Sequence, residues 1–315
     1  MNPPWNSIAM SPSHHYNAFG FAFESEIELP GVETASPDDA PVASIRYGIA
    51  PERLDVHGGD SSEDSGGYYE ACPGRFLLKI GGVGRYFIQN GCEITVEPED
   101  SADPSSIRLF LMGSAFGALL FQRGLMPLHA SAVRLGDQCI AFTGPSGIGK
   151  STLSAFFNQR GRPIHCDDVC AVSVCPDRGV IVWPGFRKVK LWEDAFEALD
   201  VPIDPTTRIF PGVDKYEIHL TGSPGGGPLP LRSFYVLRNA DEESSEGIFP
   251  LQGAEKVMTI MENVYRWEFL ESMGLSQWHF QTAAQIATLM RVAEVARVRG
   301  MERIPRLMQW MEEDE

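Results

Sequence analysis

One glycine-rich segment of eight residues constrains this chain more than any other feature: Gly144-Pro145-Ser146-Gly147-Ile148-Gly149-Lys150-Ser151. It satisfies the pattern G-x-x-x-x-G-K-[ST], in which glycines let the backbone curl around phosphate oxygens. Backbone N–H groups and the N-terminus of a following helix then face the anion. In this pattern Lys150 neutralises the outer phosphates and the Ser151 hydroxyl ligates Mg²⁺; with Thr152, the segment predicts a nucleoside triphosphate site.

The residues on either side of this loop have the patterns of a strand and a helix. The apolar run 139–143 predicts a strand before the loop, and 150–159 predicts a helix that Gly161 ends. A strand, a glycine-rich loop and a helix in this order form the context that the motif requires. We therefore expect the loop to join a sheet to a helix in an α/β domain.

Two adjacent carboxylates, Asp167 and Asp168, follow the next strand-like segment. A chain that leaves the carboxyl edge of a sheet at this point comes close to the phosphate loop. One carboxylate could hold Mg²⁺ while the other accepts a proton from an attacking hydroxyl group. Adjacent acids are also common in solvated turns, so the pair is a catalytic candidate only together with the loop.

The first 126 residues have a different pattern. Short segments predict strands at 21–27, 44–47, 68–72, 76–80, 84–89 and 93–96. A helix is predicted over 107–123, capped by Ser105-Ser106. Gly and Pro residues at 124–127 predict a domain boundary, which gives a small β-rich module over 1–126 and a second domain over 127–315.

The second domain is predicted to contain both strands and helices. Strands are expected at 169–174, 180–183, 216–220 and 234–237, and a helix at 192–199. The region 254–315 predicts helices, because its apolar residues recur at helical spacing. Trp192, Trp267, Trp278 and Trp310 are expected in the core, where aromatic residues at helical positions usually lie.

The composition limits the partners of the chain. It contains 42 Asp and Glu but only 26 Lys and Arg, for a net charge of −16. A field of this sign repels polyanions, so we expect no nucleic-acid or membrane partner. The N-terminus lacks the pattern of a secretory signal, and the longest apolar run, 109–121, is too short to span a bilayer. The sequence therefore predicts a soluble, cytoplasmic protein.

At the candidate residues the chain resembles a known family. His129, the loop ending at Lys150-Ser151 and the pair Asp167-Asp168 have the spacing found in the C-terminal domain of HPr kinase/phosphorylase, a bacterial serine kinase. The chain is more similar still to HPr-kinase-like proteins, some of which are encoded with lasso-peptide biosynthesis genes. The resemblance extends over most of the chain, and the phrases that carry it are 123–125, 128–133, 183–185, 191–192, 211–215, 230–232 and 235–237.

The resemblance implies a fold, an activity and roles for the matching residues. The fold is an α/β phosphate-loop sheet of the HPr-kinase-like type with flanking helices, in a kinase that uses ATP and Mg²⁺ to phosphorylate serine. Asp167 would take the proton of the acceptor serine and Asp168 would support the metal. His129 would lie beside the active site, either as a catalytic residue or packed under the loop. Because the family includes hexamers, a homo-oligomer is expected.

One departure from the family concerns the segment after the acid pair. Bifunctional members carry an E-I-R-G-L-G-type segment that serves dephosphorylation, whereas this chain reads Trp183-Pro184-Gly185-Phe186-Arg187-Lys188-Val189-Lys190. The departure favours the forward kinase reaction and an acceptor other than HPr. Arg187, Lys188, Lys190 and the later Lys215 could neutralise the transferring phosphoryl group or bind an acidic peptide, or could be ordinary surface cations.

Three functions follow from these observations. The first is a serine kinase that modifies a peptide or small protein, with a lasso-peptide precursor as the substrate that the resemblance suggests. The second is a kinase that regulates carbon metabolism by phosphorylating HPr. The third is a nucleotide-binding regulatory protein without transfer activity.

Overall fold

A computed structural model of the chain describes residues 13–36, 38–56, 67–186, 188–210, 213–220, 227–242 and 245–314. Its contacts divide the chain into two compact units, Met1–Pro127 with Arg266–His279, and Leu128–Tyr265 with Phe280–Glu315. These units differ from the division at residue 126 in the segment Arg266–His279, which groups with the first unit. That 1–126 and 127–315 fold as independent domains stays a prediction.

The first unit is built on a β-sheet. Its strands are β1 (His14–Ala18), β2 (Phe21–Ser25), β3 (Glu33–Thr34), β4 (Ala43–Tyr47), β5 (Gly67–Cys72), β6 (Arg75–Ile80), β7 (Gly84–Gln89) and β8 (Glu93–Pro98). Within the described residues they form one sheet in the order β3-β1-β2-β4-β8-β7-β6-β5. The six predicted strands all occur, each within two residues of its predicted ends. Strands β5 to β8 form an antiparallel meander, in which alternating apolar residues are buried.

A buried helical stretch follows the sheet. It consists of α1 (Pro104–Phe110), a π-helical turn (Leu111–Ala115) and α2 (Phe116–Gln122). The predicted cap is wrong: Asp103, not Ser105-Ser106, is the N-cap, and its carboxylate accepts hydrogen bonds from the N–H groups of both serines. By length and composition Pro104–Gln122 could cross a membrane, but 61% of its apolar window is buried in the protein, as in the core helix of a soluble protein.

The second unit contains two further sheets. Their strands are β9 (Met126–Leu128), which spans the division between the units, β10 (Ser131–Leu135), β11 (Gln138–Thr143), β12 (Ile164–Cys166), β13 (Cys170–Cys175), β14 (Gly179–Val182), β15 (Lys188–Trp192), β16 (Arg208–Phe210), β17 (Val213–His219), β18 (Leu229–Asn239), β19 (Gly247–Pro250) and β20 (Arg291–Arg297). The larger sheet runs β12-β10-β11-β18-β14-β13, with β20 paired to β18 and β19 to β20, and the smaller runs β15-β17-β16. Strands β11, β18 and β20 are parallel neighbours.

Helices accompany these sheets. They are α3 (Lys150–Gln159), α4 (Glu193–Leu199), α5 (Gly253–Glu262), α6 (Phe269–Ser272), α7 (Ser276–Leu289) and α8 (Ile304–Glu313), with short 3₁₀ turns at Pro205–Thr207 and Met301–Arg303. The predicted helix 150–159 is confirmed. Leu153 and Phe157, four residues apart on α3, are buried, and the Phe157 ring stacks on Phe142 of β11 with centroids 6.2 Å apart. This packing fixes the helix that begins at the phosphate loop.

The prediction of helices throughout 254–315 is wrong for one segment. Strand β20 lies there, beside β18, and its apolar residues are buried on both faces. A strand buried on both faces reads as a continuous apolar run, and such a run cannot be distinguished from a buried helix by its periodicity. The coarse prediction holds, because the chain is a mixed α/β protein with several sheets and flanking helices.

Candidate phosphate-binding site

The glycine-rich loop connects the end of β11 to the first residue of α3. Gly144, Gly147 and Gly149 have φ angles of 144°, 79° and 101°, which side chains with a Cβ rarely adopt. At Gly144 a Cβ would also lie 2.7 Å from the carbonyl oxygen of Leu237 on β18. The glycines are therefore required both by the backbone angles and by the close approach of the neighbouring strand.

A cavity of about 370 Å³ lies over this loop in the second unit. The predicted residues that line it are His129, Ser146, Gly147, Ile148, Gly149, Lys150, Ser151, Thr152, Asp168, Lys190 and Lys215. The structure thus brings the loop, one carboxylate of the acid pair and two of the four candidate cations to one cavity. Gly144, Pro145, Asp167 and Lys188 are not part of its lining, and Arg187 lies outside the described residues.

Asp167 is buried and contacts the last residue of the phosphate loop. Its carboxylate accepts hydrogen bonds from Ser131 Oγ at 2.5 Å and from Ser151 Oγ at 3.0 Å. Burial raises the pKa of Asp167 to about 6, although the hydrogen bond from Ser131 opposes this effect. Asp167 and Ser151 therefore place two adjacent side-chain oxygen groups at the start of α3.

Asp168 has a different environment, although it is the next residue. Its φ of 70° lies in the left-handed region, and its carboxylate contacts His129 and Lys190. The distances are 3.3 Å to His129 Nδ1 and 3.1 Å to Lys190 Nζ. Desolvation alone would raise the pKa of Asp168, but the positive charges of Lys190 and His129 lower it to about 2. Asp168 is thus a carboxylate fixed between two nitrogen groups at the cavity wall.

Three lysines line the cavity, and their different environments shift their pKa values in different directions. Lys150 Nζ donates to the carbonyl oxygen of Gly144 at 2.7 Å, and burial lowers the pKa of Lys150. Burial also disfavours the charged form of Lys190, but the carboxylate of Asp168 outweighs it and raises the pKa of Lys190. Burial lowers the pKa of Lys215, whose Nζ lies 5.5 Å from the centroid of the Trp192 ring.

Lys188, another of the four candidate cations, forms an ion pair away from the cavity. Its Nζ lies 2.7 Å from a carboxylate oxygen of Glu217 on the adjacent strand β17. Its positive charge is therefore matched within the small sheet. A role for Lys188 in substrate binding stays a prediction.

Sequence reasoning missed part of the cavity wall. Arg297 and Arg299, at and just after the end of β20, line the cavity, as do Trp192 and Asp194. The two arginines were overlooked because this segment was predicted to be helical. Trp192 was predicted to be buried but is 45% exposed. A prediction of parallel strands at 234–237 and 291–297 would have placed the arginines beside the loop, since parallel strands end at one edge of a sheet.

The prediction for Trp267 is also wrong, because its side chain is 61% exposed. It follows Arg266, whose φ of 57° lies in the left-handed region, in a turn rather than in a helix. Helical spacing therefore gave no information about burial at this position.

The residues present fit Mg²⁺ bound together with phosphates. In the part of the chain that the structure describes, no group of three or more His, Cys, Asp or Glu side chains could hold a metal ion by itself. Mg²⁺ in nucleotide sites is usually bound by one or two protein oxygens, with phosphates and water completing its shell. The adjacent oxygens of Ser151 and Asp167 are a donor set of this kind.

Comparison with known proteins gives only weak structural similarity. No family model matches the chain, and no curated protein matches it. Among solved structures it is similar to the HPr(Ser) kinase/phosphatase from Coxiella burnetii, with 13% sequence identity and a TM-score of 0.30. The similarity covers 59% of this chain and 87% of that chain. It does not establish membership of a family.

Proposed function

We propose that the protein is an ATP- and Mg²⁺-dependent kinase that phosphorylates a serine on a peptide or small protein. The observation that carries this proposal is the contact between Ser151 of the phosphate loop and Asp167, with Asp168 fixed beside it at the cavity wall. Phosphoryl transfer requires a phosphate cradle, a metal ligand, a group that orients the attacking hydroxyl, and cations. Each of these requirements has a candidate in or next to the same cavity.

The loop and α3 would bind the triphosphate. The N-terminus of α3 carries free N–H groups and a partial positive charge that favour an anion. Lys150, which donates to the loop carbonyl of Gly144, would move to the outer phosphates when nucleotide enters. Lys190 and Lys215, which also line the cavity, would neutralise charge on the transferring phosphoryl group.

The contacts support an exchange of the two predicted aspartate roles. Asp167 touches Ser151, so we assign Asp167 with Ser151 to the metal. When bound, Mg²⁺ would neutralise the β- and γ-phosphate oxygens. Asp168 lines the cavity, and we assign it to the acceptor serine. The serine oxygen attacks the γ-phosphorus, its proton passes to the Asp168 carboxylate, and ADP leaves with the electrons of the broken P–O bond.

His129 and Lys190 would hold Asp168 in this position. Both contact its carboxylate, and His129 Nδ1 also lies 3.2 Å from the backbone carbonyl oxygen of Asp168. A carboxylate fixed in this way orients a hydroxyl group more than it removes its proton. A loose phosphoryl-transfer transition state requires little more than an oriented hydroxyl group, because the proton can be transferred after the bond to phosphorus has formed.

The experiment is a transfer assay with a direct measurement of nucleotide binding. The protein is incubated with ATP, Mg²⁺ and either lasso-peptide precursors or HPr, and the intact mass of each acceptor is measured. We expect a precursor to gain one phosphoryl group, and to gain none when its serines are replaced by alanine. Transfer to HPr alone would favour the carbon-metabolism kinase. ATP binding with no transfer to any acceptor would indicate a nucleotide-binding regulator.

A further inference from the structure

Arg297, the last residue of β20, lies beneath the phosphate loop. Its side chain is buried, and its Nη2 donates a hydrogen bond to the backbone carbonyl oxygen of Ile148. A Cβ at Gly149 would lie 3.1 Å from the same Nη2 atom. The guanidinium therefore contacts the loop closely at the two residues that precede Lys150.

The buried positive charge of Arg297 is not matched by a carboxylate. Within the described part of the chain it forms no ion pair, and its Nε has no hydrogen-bond partner. Burial, and to a lesser extent the charge of Arg299, lowers the pKa of Arg297. A buried charge without a counter-charge destabilises a protein. Because Arg297 also lines the cavity, an anion bound there would supply the missing counter-charge.

The hydrogen bond also fixes the direction of a loop peptide. In a trans peptide the carbonyl of Ile148 and the N–H of Gly149 point in opposite directions. Holding the carbonyl at Arg297 therefore turns the Gly149 N–H away from Arg297. Arg299 makes a similar contact, in which its Nη2 donates to the carbonyl oxygen of Gly147 at 3.3 Å. Two guanidinium groups thus hold consecutive loop carbonyls, and N–H groups turned the other way form an anion-binding concavity.

We propose that Arg297 is a positioning residue for polyphosphate binding: it holds the loop in its anion-accepting form, and its buried charge is balanced only when a polyphosphate occupies the cavity. This inference rests on the nucleotide binding of the proposed function. It adds a residue outside the glycine-rich motif and a requirement for a ligand of high negative charge. A nucleoside without phosphates would gain nothing from Arg297.

The test compares Arg297→Met with a matched control, Arg232→Met. Arg232 on β18 also has a buried Nε without a partner among the described residues, and its Nη2 donates to a backbone carbonyl, that of Met311, at 2.6 Å. It does not line the cavity. The dissociation constants of Mg·ATP and of inorganic tripolyphosphate are measured for wild type and both variants, together with the thermal midpoint of each ligand-free protein.

We expect Arg297→Met to weaken both ligands on the order of tenfold or more, as expected for loss of a charged group near an anion. Its ligand-free thermal midpoint should fall no further than that of Arg232→Met, because an unmatched charge has been removed. Arg232→Met should bind both ligands as wild type does. Arg297→Lys keeps the charge without the planar fork, and its affinity should lie between those of wild type and Arg297→Met.

Wild-type affinity in Arg297→Met, or equal losses in Arg297→Met and Arg232→Met, would overturn the inference. If Arg297→Met does not fold, the affinity of Arg297→Lys is the test. Wild-type affinity in Arg297→Lys would overturn the positioning role of Arg297. If wild type itself binds neither ligand, the proposed function fails with the inference. If wild type binds both ligands and the Arg297 variants bind them equally well, only the inference about Arg297 is wrong and the proposed function stands.

Discussion

The cavity has two walls of different chemistry. The loop wall consists of backbone and cations, with Arg297 and Arg299 behind the loop and Lys150 at its end. On the second wall Asp168 is paired with Lys190 and His129, so that negative and positive groups alternate. The first wall suits a bound anion, whereas the second suits a hydroxyl group whose proton must be accepted. The difference indicates that nucleotide binding and phosphoryl transfer can be lost separately, which the following substitutions test.

The largest expected effect is on the second wall, at Asp168. Asp168→Asn should lower kcat by about 10²- to 10⁴-fold, the range typical of a general base, because the amide lacks the negative charge that orients the serine hydroxyl group and later takes its proton. Its dissociation constant for Mg·ATP should stay within about threefold of wild type, since an amide and a carboxylate have the same shape. Single-turnover transfer and equilibrium binding measure the two quantities. A loss of binding as large as the loss of turnover would break the distinction between the walls.

The next effect is on the loop wall, at Lys150. Lys150→Met should weaken Mg·ATP binding by about 100-fold or more, because it removes the cation that the motif supplies to the outer phosphates. Calorimetric titration with ATP measures the change. Lys188→Met provides a matched control, since the Lys188 ammonium is bound to Glu217 and does not line the cavity. Equal losses in both lysine variants would mean that the cavity does not bind the phosphates.

Asp167 tests the assignment of the two carboxylates. Asp167→Asn should raise the Mg²⁺ concentration for half-maximal transfer by about 10- to 100-fold, because it removes the charge beside Ser151. Saturating Mg²⁺ should restore much of the activity, which it should not do for Asp168→Asn. Titration of the transfer rate with Mg²⁺ separates the variants. The reverse result would return the roles to the order that the resemblance implies.

The smallest expected effect lies away from both walls, at the N-cap of α1. Asp103→Ala should lower the free energy of unfolding by about 0.5–2 kcal/mol and leave nucleotide binding unchanged. Hydrogen bonds from Ser105, chiefly that of its hydroxyl, lower the pKa of Asp103 below its usual 3.8. Asp103 therefore contributes its full share of the free energy of unfolding above pH 3.8. This contribution is lost as the pH falls through the lower pKa of the folded state.

Urea unfolding at several pH values tests this expectation. The difference between wild type and Asp103→Ala should shrink below pH 3.8, the usual pKa of the group. Asp103→Asn, which caps without a charge, should retain most of the stability at every pH. A constant difference between wild type and Asp103→Ala across the whole range would exclude a contribution from the carboxylate charge.

The two walls also differ in how far they could be predicted from the sequence. The loop, α3 and six of the eight described strands of the first unit follow local rules, namely glycine spacing, alternation and turn residues, and these elements occur where predicted, whereas β1 and β3 were not predicted. The position of Asp167 beside Ser151 depends on how β10, β11 and β12 pair. No local pattern gives that pairing. The adjacent acids were recognisable as candidates, but their separate environments were not.

The position of Arg297 could be predicted from local sequence patterns even less well than that of Asp167. Strand β20 has two pairs of apolar residues separated by Glu294, a pattern that reads equally well as a helix, and its partner β18 lies more than fifty residues earlier in the chain. Only the parallel pairing brings Arg297 beneath the loop. Local patterns contain no information about a contact of this kind, because both of its partners look ordinary in their own segments.

The hydrogen bond from Arg297 to Ile148 joins residues 149 positions apart. During synthesis the loop emerges long before β20, and the intervening chain includes Arg266–His279, which belongs to the other unit. A nascent or truncated chain that ends before residue 291 would contain the whole glycine-rich motif but not the guanidinium groups that hold it. Because contacts distant in sequence form late, phosphate binding should be acquired near the end of folding and would report a complete chain.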